Sequence, residues 1–250
     1  MKTIKMLPLM LFCASILFSC NENLSKTESN TKDKSDTLKT EKAVNMKFYP
    51  ELTKSIEKIQ ALDISEEHKQ SLDKIAAFIR AKQEKNETCE IIFICTHNSR
   101  RSHLSQIWAQ TAAANFGLKN ITTYSGGTEA TAFNPRAVAA LQRAGFKIDS
   151  SGTKNPEYKV KFSDSAAAMN CFSKKYSDSH NPQKGFLAVM VCDSADEACP
   201  VVAGAEARVS LPFIDPKKSD GKPEEAATYD ERSNQIAAEM FYIMSKASAK

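Results

Sequence analysis

The apolar residues of this chain form short runs that alternate with sets at helical spacing. Four runs are typical of buried strands: 91–94, 121–124, 187–191 and 207–213. Apolar positions three and four residues apart predict five helices: 50–59, 65–79, 104–116, 135–141 and 229–245. Strands that alternate with helices predict an α/β domain, here with a mostly parallel four-stranded sheet and helices on both faces. Binding sites in such folds lie at the carboxyl ends of the strands.

The pattern also predicts how the chain is divided and where it turns. The first two helices are expected to form a helical hairpin over residues 46–88, ahead of a domain at 89–250. Packing against the sheet is the simplest role for the hairpin, and a cover for the active site or a dimer face is the alternative. Ser125, Gly126 and Gly127 predict a turn, Gly145 a helix end, and alternating apolar residues an extended segment at 150–165.

The N-terminus has the features of an export signal. Lys2 and Lys5 precede an apolar stretch at 7–18, which is too short to span a bilayer, and Cys20 follows a small residue. This resembles a bacterial lipoprotein signal peptide at 1–19, with Cys20 as the lipidated residue. The expected location is the cell envelope, anchored to a membrane by lipid, most simply on the periplasmic side. A plain secretory signal or a retained anchor is the alternative.

Residues 20–45 are predicted to be a disordered tether, because they carry hardly any apolar side chain that could be buried. Of the 34 basic and 30 acidic residues in the whole chain, 32 and 30 remain without Lys2 and Lys5. A mature chain so close to neutral gives no reason to expect nucleic-acid binding.

The most specific chemical signal follows the apolar run 91–94. Cys95, Arg101 and Ser102 stand at the two ends of a short segment between a predicted strand and a predicted helix. Such a loop can direct its backbone amides, together with the positive end of the helix, at a tetrahedral anion and at a cysteine thiolate. The guanidinium of Arg101 can bind two oxygens of that anion at once. A buried structural cysteine beside a surface arginine pair is the alternative.

With this strand, loop and helix, the chain resembles the low-molecular-weight protein tyrosine phosphatase superfamily, and within it the thioredoxin-coupled arsenate reductases. Cys95, Asn98, Arg101 and Ser102 match the phosphatase loop, and Asp215 with Pro216 matches the late Asp-Pro pair. The resemblance covers about residues 88 to 245. It implies that the intervening loop residues bind the oxyanion: Thr96, His97, Asn98, Ser99 and Arg100. His97 departs from the glycine that is usual at its position.

A second cysteine pair distinguishes the reductase from the phosphatase. Cys192 follows the apolar run 187–191, and Cys199 comes seven residues later. The resemblance implies that these two cysteines relay oxidation away from Cys95. If the segment between them is helical, their Cα atoms lie roughly 10 Å apart, beyond the approximately 7 Å that a disulfide allows. The segment would have to unwind before the bond could form. A static disulfide or two free core thiols are the alternatives.

The resemblance implies a reaction and its participants. Arsenate is the expected substrate, Asp215 the expected general acid and a thioredoxin-like protein the expected external reductant, with no bound cofactor. No zinc-binding spacing of cysteine and histidine occurs, so we expect no metal site. Cys89 and Cys171 are expected to be packing residues. His68, His103 and His180 are expected at the surface.

Two other functions remain open on sequence alone. A phosphatase that hydrolyses phosphate monoesters would use the same Cys95, Arg101 and Asp215, although Lys217 replaces the aromatic residue common after Asp-Pro in that group. A non-catalytic lipoprotein that binds anions or senses redox state is the second, since a dithiol enzyme in an oxidising envelope needs a dedicated electron source.

Overall fold

A computed structural model describes residues 46–249. Its helices are α1 (Pro50–Gln60), α2 (Glu66–Glu84), α3 (Arg101–Asn115), α4 (Pro135–Arg143), α5 (Asp193–Ala198) and α6 (Glu225–Ser248). Its strands are β1 (Cys89–Cys95), β2 (Ile121–Gly127), β3 (Lys147–Ser151), β4 (Glu157–Lys161), β5 (Met169–Cys171), β6 (Phe186–Met190) and β7 (Ala205–Ser210). The predicted signal peptide, Cys20 and the predicted tether lie outside the described residues.

The main sheet has four strands in the order β2-β1-β6-β7, and all three pairings are parallel. This confirms the predicted mostly parallel sheet. Every residue of β6 is buried, as is every residue of β1 except Glu90, so both faces of the central strands are covered. Such strands read as continuous apolar runs rather than alternating ones, which is why the sequence located them.

Two strand boundaries differ from the prediction. The predicted turn at Ser125 to Gly127 is wrong, because these residues continue β2 alongside β1. Their glycines allow close approach, since a Cβ on Gly126 would lie 2.4 Å from the Tyr176 Cα atom. The predicted strand at 207–213 ends at Ser210. Beyond it, the Leu211 and Phe213 amides still donate to the Met190 and Val191 carbonyls at 2.8 and 3.2 Å, so the chain stays alongside β6 as far as Phe213.

The predicted extended segment at 150–165 belongs to a second, antiparallel sheet in the order β3-β4-β5. The alternation at Tyr158, Val160 and Phe162 correctly indicated a strand, β4, but the partner strands carry no comparable apolar pattern. Exposed Lys147, Ser150 and Ser151 form much of β3. The sequence therefore predicted the strand and missed the sheet.

The predicted helices all form, and α6 is the element on which most of them pack. Helices α1, α2, α3 and α4 each contact α6, whereas α1 and α2 make few contacts with one another. The helical pair before the domain is thus integrated into the same core. Gly145 follows α4 with φ +104°, as its C-terminal position predicted, and a Cβ there would lie 2.3 Å from the Leu52 amide nitrogen.

Candidate active site

Three predicted site residues follow three neighbouring strands of the main sheet. Cys95 is the last residue of β1, Cys192 comes two residues after β6, and Asp215 follows the segment that extends β7. The parallel register pairs Ile94 with Met190, and the Val191 amide donates to the Ile94 carbonyl at 2.8 Å. The carboxyl ends of β1 and β6 therefore lie level, which brings Cys95 and Cys192 to the same edge of the sheet.

Cys95 lies in a preorganised loop. Its side chain is 4% exposed, and its Sγ lies 3.1 Å from the Ser102 Oγ. The Asn98 side-chain Nδ2 donates to that same oxygen at 2.8 Å, which leaves the Ser102 hydroxyl hydrogen free to point at the sulfur. Asn98 adopts φ +44°, and its Oδ1 accepts from the Lys174 amide at 2.8 Å. Asn98 thus holds both the strained turn of the loop and the Ser102 hydroxyl.

The loop carbonyls are bonded to groups outside the loop. The carbonyl oxygens that accept these hydrogen bonds are those of Cys95, Thr96, His97, Ser99 and Arg100. Their donors include the amides of Thr128, Glu129 and Asn134, at 3.1, 2.8 and 2.8 Å. Within residues 46–249, the amides of residues 96–100 have no acceptor. Amide groups left unpaired in a loop that precedes a helix form a site for an anion.

Arg101 and Asp215 close one side of this loop. Arg101 donates from Nη1 to the Phe213 carbonyl at 2.8 Å and from Nη2 to the Asp215 Oδ2 at 2.9 Å. The other Asp215 oxygen accepts from the Lys217 amide at 3.0 Å. A guanidinium has five N–H donors, so Arg101 can hold the Asp215 segment and still donate to an oxyanion. Asp215 is a third exposed, which leaves its carboxyl accessible.

Replacing Arg101 by lysine is expected to reduce turnover by about 10²-fold or more, because a lysine keeps the charge but loses the planar fork. In this structure the substitution also breaks one of the two bonds that place Phe213 and Asp215. Steady-state kinetics of the Arg101→Lys variant check the expectation. Near-wild-type kcat/KM would show that the oxyanion binds elsewhere.

The loop residues predicted to bind substrate can do so through their backbone, while their side chains have other partners. His97 is half exposed and lies 3.7 Å from Glu129. The Arg100 Nε donates to the Tyr229 hydroxyl at 2.8 Å and lies 3.9 Å from the Asp215 Oδ1. Burial raises the pKa of Tyr229 to about 12, so its hydroxyl stays protonated and donates to Asp220 at 2.7 Å. Binding of the anion by the Arg100 side chain stays a prediction.

The second cysteine pair lies at the two ends of α5. The helix separates Cys192 from Cys199, so the condition stated for their separation is met, and all five described cysteines are free thiols. Cys192 is 1% exposed, and its Sγ lies 3.4 Å from the Thr96 Oγ1, next to Cys95 in the chain. Cys199 is partly exposed at the far end. One thiol thus faces the loop and the other reaches the surface.

The other two described cysteines are buried packing residues, as predicted. Cys89 and Cys171 are fully buried, and burial raises the pKa of each thiol to about 12. Neither has a thiolate at neutral pH that could compete with the residues of the loop.

Two of the three histidine predictions are wrong. His103 is fully buried, stacked on Phe133 with the ring centroids 4.0 Å apart, because α3 is enclosed on nearly every side. Burial, and secondarily the charge of Lys174, lowers the pKa of His103 well below its usual range. Lys174 is itself 5% exposed, and burial lowers its pKa. His180 is exposed, as expected.

His68 is the other exception, and it links α2 to the segment that leads to Asp215. Its Nδ1 lies 2.9 Å from both carboxylate oxygens of the buried Glu239 on α6, and this hydrogen bond raises the pKa of His68. The ring also meets that of Phe213 edge-on at 5.4 Å. Helix α2 therefore contacts both α6 and the segment that leads to Asp215. No apolar pattern marks this contact, which is why the sequence did not indicate it.

Two structural features that other kinds of site require are absent from residues 46–249. No group of three or more histidine, cysteine or acidic side chains lies close enough together to hold a metal ion. Over the same residues, no helix combines the length and apolar character needed to cross a membrane.

A cysteine at the base of an amide-lined loop, with an arginine and a carboxyl at its rim, defines a nucleophilic site for a tetrahedral oxyanion. Residues 90–175 match the family model of the low molecular weight phosphotyrosine protein phosphatases. The chain is 30% identical over 135 residues to an arsenate reductase of Halalkalibacterium halodurans, and the alignment covers 54% of this chain and 79% of the relative. The chain therefore belongs to this phosphatase family of enzymes.

Two further comparisons give similar proteins. An arsenate reductase of Bacillus licheniformis is 28% identical over 145 residues, which cover 57% of this chain and 84% of the relative. A low molecular weight protein tyrosine phosphatase from T. tengcongensis has a solved structure that is 17% identical, with a TM-score of 0.43, over 64% of this chain and 99% of the other.

Proposed function

We propose that this protein reduces arsenate to arsenite through a relay of three cysteines, Cys95, Cys192 and Cys199, with a thioredoxin-like protein as reductant. The observation that carries the proposal is the place of the Cys192 thiol. It is buried beside Thr96, at the end of a strand that pairs directly with the strand of Cys95. Hydrolysis of a phosphate ester requires no second thiol there. The similarity to curated arsenate reductases supports the same substrate.

The first step joins Cys95 to arsenic. Arsenate binds to the amides of the loop and to Arg101, and the Cys95 thiolate attacks the arsenic atom. One oxygen leaves, and Asp215 gives it a proton so that it departs as water. The bond between Arg101 and Asp215 keeps the acid at the rim of the loop throughout.

The next two steps move oxidation to the surface. The Cys192 thiolate attacks the Cys95 sulfur, the sulfur–arsenic bond breaks, and its electron pair stays on arsenic, which leaves as arsenite. Cys199 then attacks Cys192 and releases Cys95 as a thiolate, which leaves a disulfide between Cys192 and Cys199. Because Cys199 is partly exposed, the reductant can reach this disulfide from solution.

Hydrolysis of phosphate monoesters is the second candidate, and the family match favours it independently. It would use Cys95, Arg101 and Asp215, with water as the final acceptor of the phosphoryl group. Two assays on the purified full chain separate the candidates: arsenate-dependent oxidation of thioredoxin, and hydrolysis of an aryl phosphate. We expect efficient arsenate turnover with weak hydrolysis. Efficient hydrolysis of the aryl phosphate with weak arsenate turnover would favour the phosphatase.

We also propose that the chain is a lipoprotein of the bacterial envelope, lipidated on Cys20 and held at a membrane, with the periplasmic side the simplest placement. The support is the charged, then apolar, then cysteine-containing sequence of residues 1–20. Labelled fatty acid should enter the wild type and fail to enter Cys20→Ala. A cytosolic protein that keeps Met1 would contradict this proposal.

A further inference from the structure

Helix α5 is short and mostly exposed. It has six residues, and only Ala195 among them is fully buried. Asp193, Ser194, Glu197 and Ala198 are exposed. A single short turn of helix is unstable in isolation, because nucleation costs more than one or two hydrogen bonds return. Something outside the helix must therefore keep this segment wound while its two cysteines are thiols.

That support comes from two side chains of β7. The Arg208 guanidinium donates to the Asp196 carbonyl at 2.8 Å and to the Cys199 carbonyl at 3.0 Å. It also binds the Asp196 carboxylate, whose second oxygen accepts from the Ser210 hydroxyl at 2.9 Å. The two carbonyls belong to the C-terminal end of α5, where they have no partner within the helix. We call Arg208, Ser210 and Asp196 the β7 clamp.

We propose that the β7 clamp, through Arg208 above all, holds α5 in the dithiol form and thereby sets the reduction potential of the Cys192 and Cys199 pair. The inference rests on the proposed relay. Across a wound α5 the two cysteines lie about 10 Å apart at Cα, by helix geometry, and a disulfide requires less than about 7 Å. The segment must unwind, so the bonds from Arg208 to the carbonyls of Asp196 and Cys199 break. These hydrogen bonds therefore stabilise the dithiol form of the pair and not its disulfide form.

The direction of the effect follows from this asymmetry. Oxidation of the pair removes two protons and two electrons, which a disulfide reagent such as oxidised dithiothreitol accepts. Losing the clamp destabilises only the dithiol, so it favours the disulfide. Charge-assisted hydrogen bonds of this kind support an expected shift of about tenfold in the equilibrium constant. For a two-electron couple, tenfold corresponds to a potential about 30 mV more negative.

The test is a redox titration of the full chain in dithiothreitol buffers, with the Cys192 to Cys199 bond quantified by peptide mass. Arg208→Gln should shift the midpoint by about −30 mV. Ser210→Ala, a smaller change that leaves Arg208 in place, should shift it in the same direction by less. Arg143→Gln is the matched control, because it removes an arginine–carboxylate pair with Asp230, far from α5 in the chain, and should leave the midpoint unchanged.

Amide exchange provides a second readout in the reduced proteins. Residues 193–199 should exchange faster in Arg208→Gln than in the wild type, while α6 should keep its protection. An unchanged midpoint together with unchanged exchange in Arg208→Gln and Ser210→Ala would overturn the clamp. If the wild type forms no Cys192 to Cys199 bond in any buffer, the relay itself fails. The two failures are therefore distinguishable.

Discussion

Replacing Cys95 by serine is expected to abolish arsenate reduction and any aryl phosphate hydrolysis, with a loss of at least about 10³-fold in kcat for each. Both reactions begin with attack by the same sulfur, and an unactivated hydroxyl does not replace a thiolate. The Ser102 hydroxyl and the unpaired amides of the loop remain in the variant, but they do not turn a serine hydroxyl into a thiolate.

The Cys95→Ser variant is nearly isosteric, so its fold should be retained. The one tryptophan, Trp108, is fully buried on α3 and donates to Ser233 at 2.9 Å, so its fluorescence reports whether the helices remain packed. His180→Gln, at an exposed site, serves as a control that should keep full activity. Turnover above a tenth of the wild-type rate in folded Cys95→Ser would refute Cys95 as the nucleophile.

Serine at Cys192 or at Cys199 is expected to separate the two chemistries. Multiple-turnover arsenate reduction should fall by about 10³-fold or more, as for a lost nucleophile, while aryl phosphate hydrolysis stays within a few-fold of wild type. The reason is that hydrolysis uses only the Cys95 loop, Asp215 and water. Arsenate reduction also requires Cys192 to attack Cys95 and Cys199 to attack Cys192. Parallel steady-state assays of both variants measure the split.

Single turnovers distinguish the two variants from each other. Cys199→Ser should still release one arsenite per enzyme and accumulate a Cys95 to Cys192 disulfide, because Thr96 and the paired strands keep Cys192 near the loop. Cys192→Ser should release none. Sustained arsenate turnover with thioredoxin in both variants would contradict the relay and leave phosphatase chemistry as the better account.

The sequence predicted those parts of the fold whose apolar residues recur in a regular pattern. Strands β1 and β6 are buried on both faces and appear as continuous apolar runs, and the loop after β1 carries Cys95, Arg101 and Ser102 at a spacing that predicted an anion site. The second sheet was missed because β3 is polar and exposed, and β5 has only three residues. The local sequence pattern of β3 and β5 does not predict that either segment pairs with β4.

The contacts missed at the site are long-range polar ones. His68 contacts Glu239 across 171 positions of sequence, and Arg208 on β7 contacts Asp196 on α5. A lone histidine or arginine on a polar stretch looks like a surface residue until the fold supplies its partner. His103 was misjudged for a related reason, since α3 is buried around nearly its whole circumference and carries no polar face to compare with.

Disulfide mapping after a single arsenate turnover tests the central claim most directly. Fully reduced full-length protein is mixed with excess arsenate in the absence of reductant, quenched in acid, alkylated and analysed by peptide mass, while arsenite is quantified. The account predicts one arsenite per enzyme, a bond between Cys192 and Cys199, and a free Cys95 thiol. Arsenite release with all three of these thiols still free, or no arsenite from a protein that hydrolyses aryl phosphate, would contradict it.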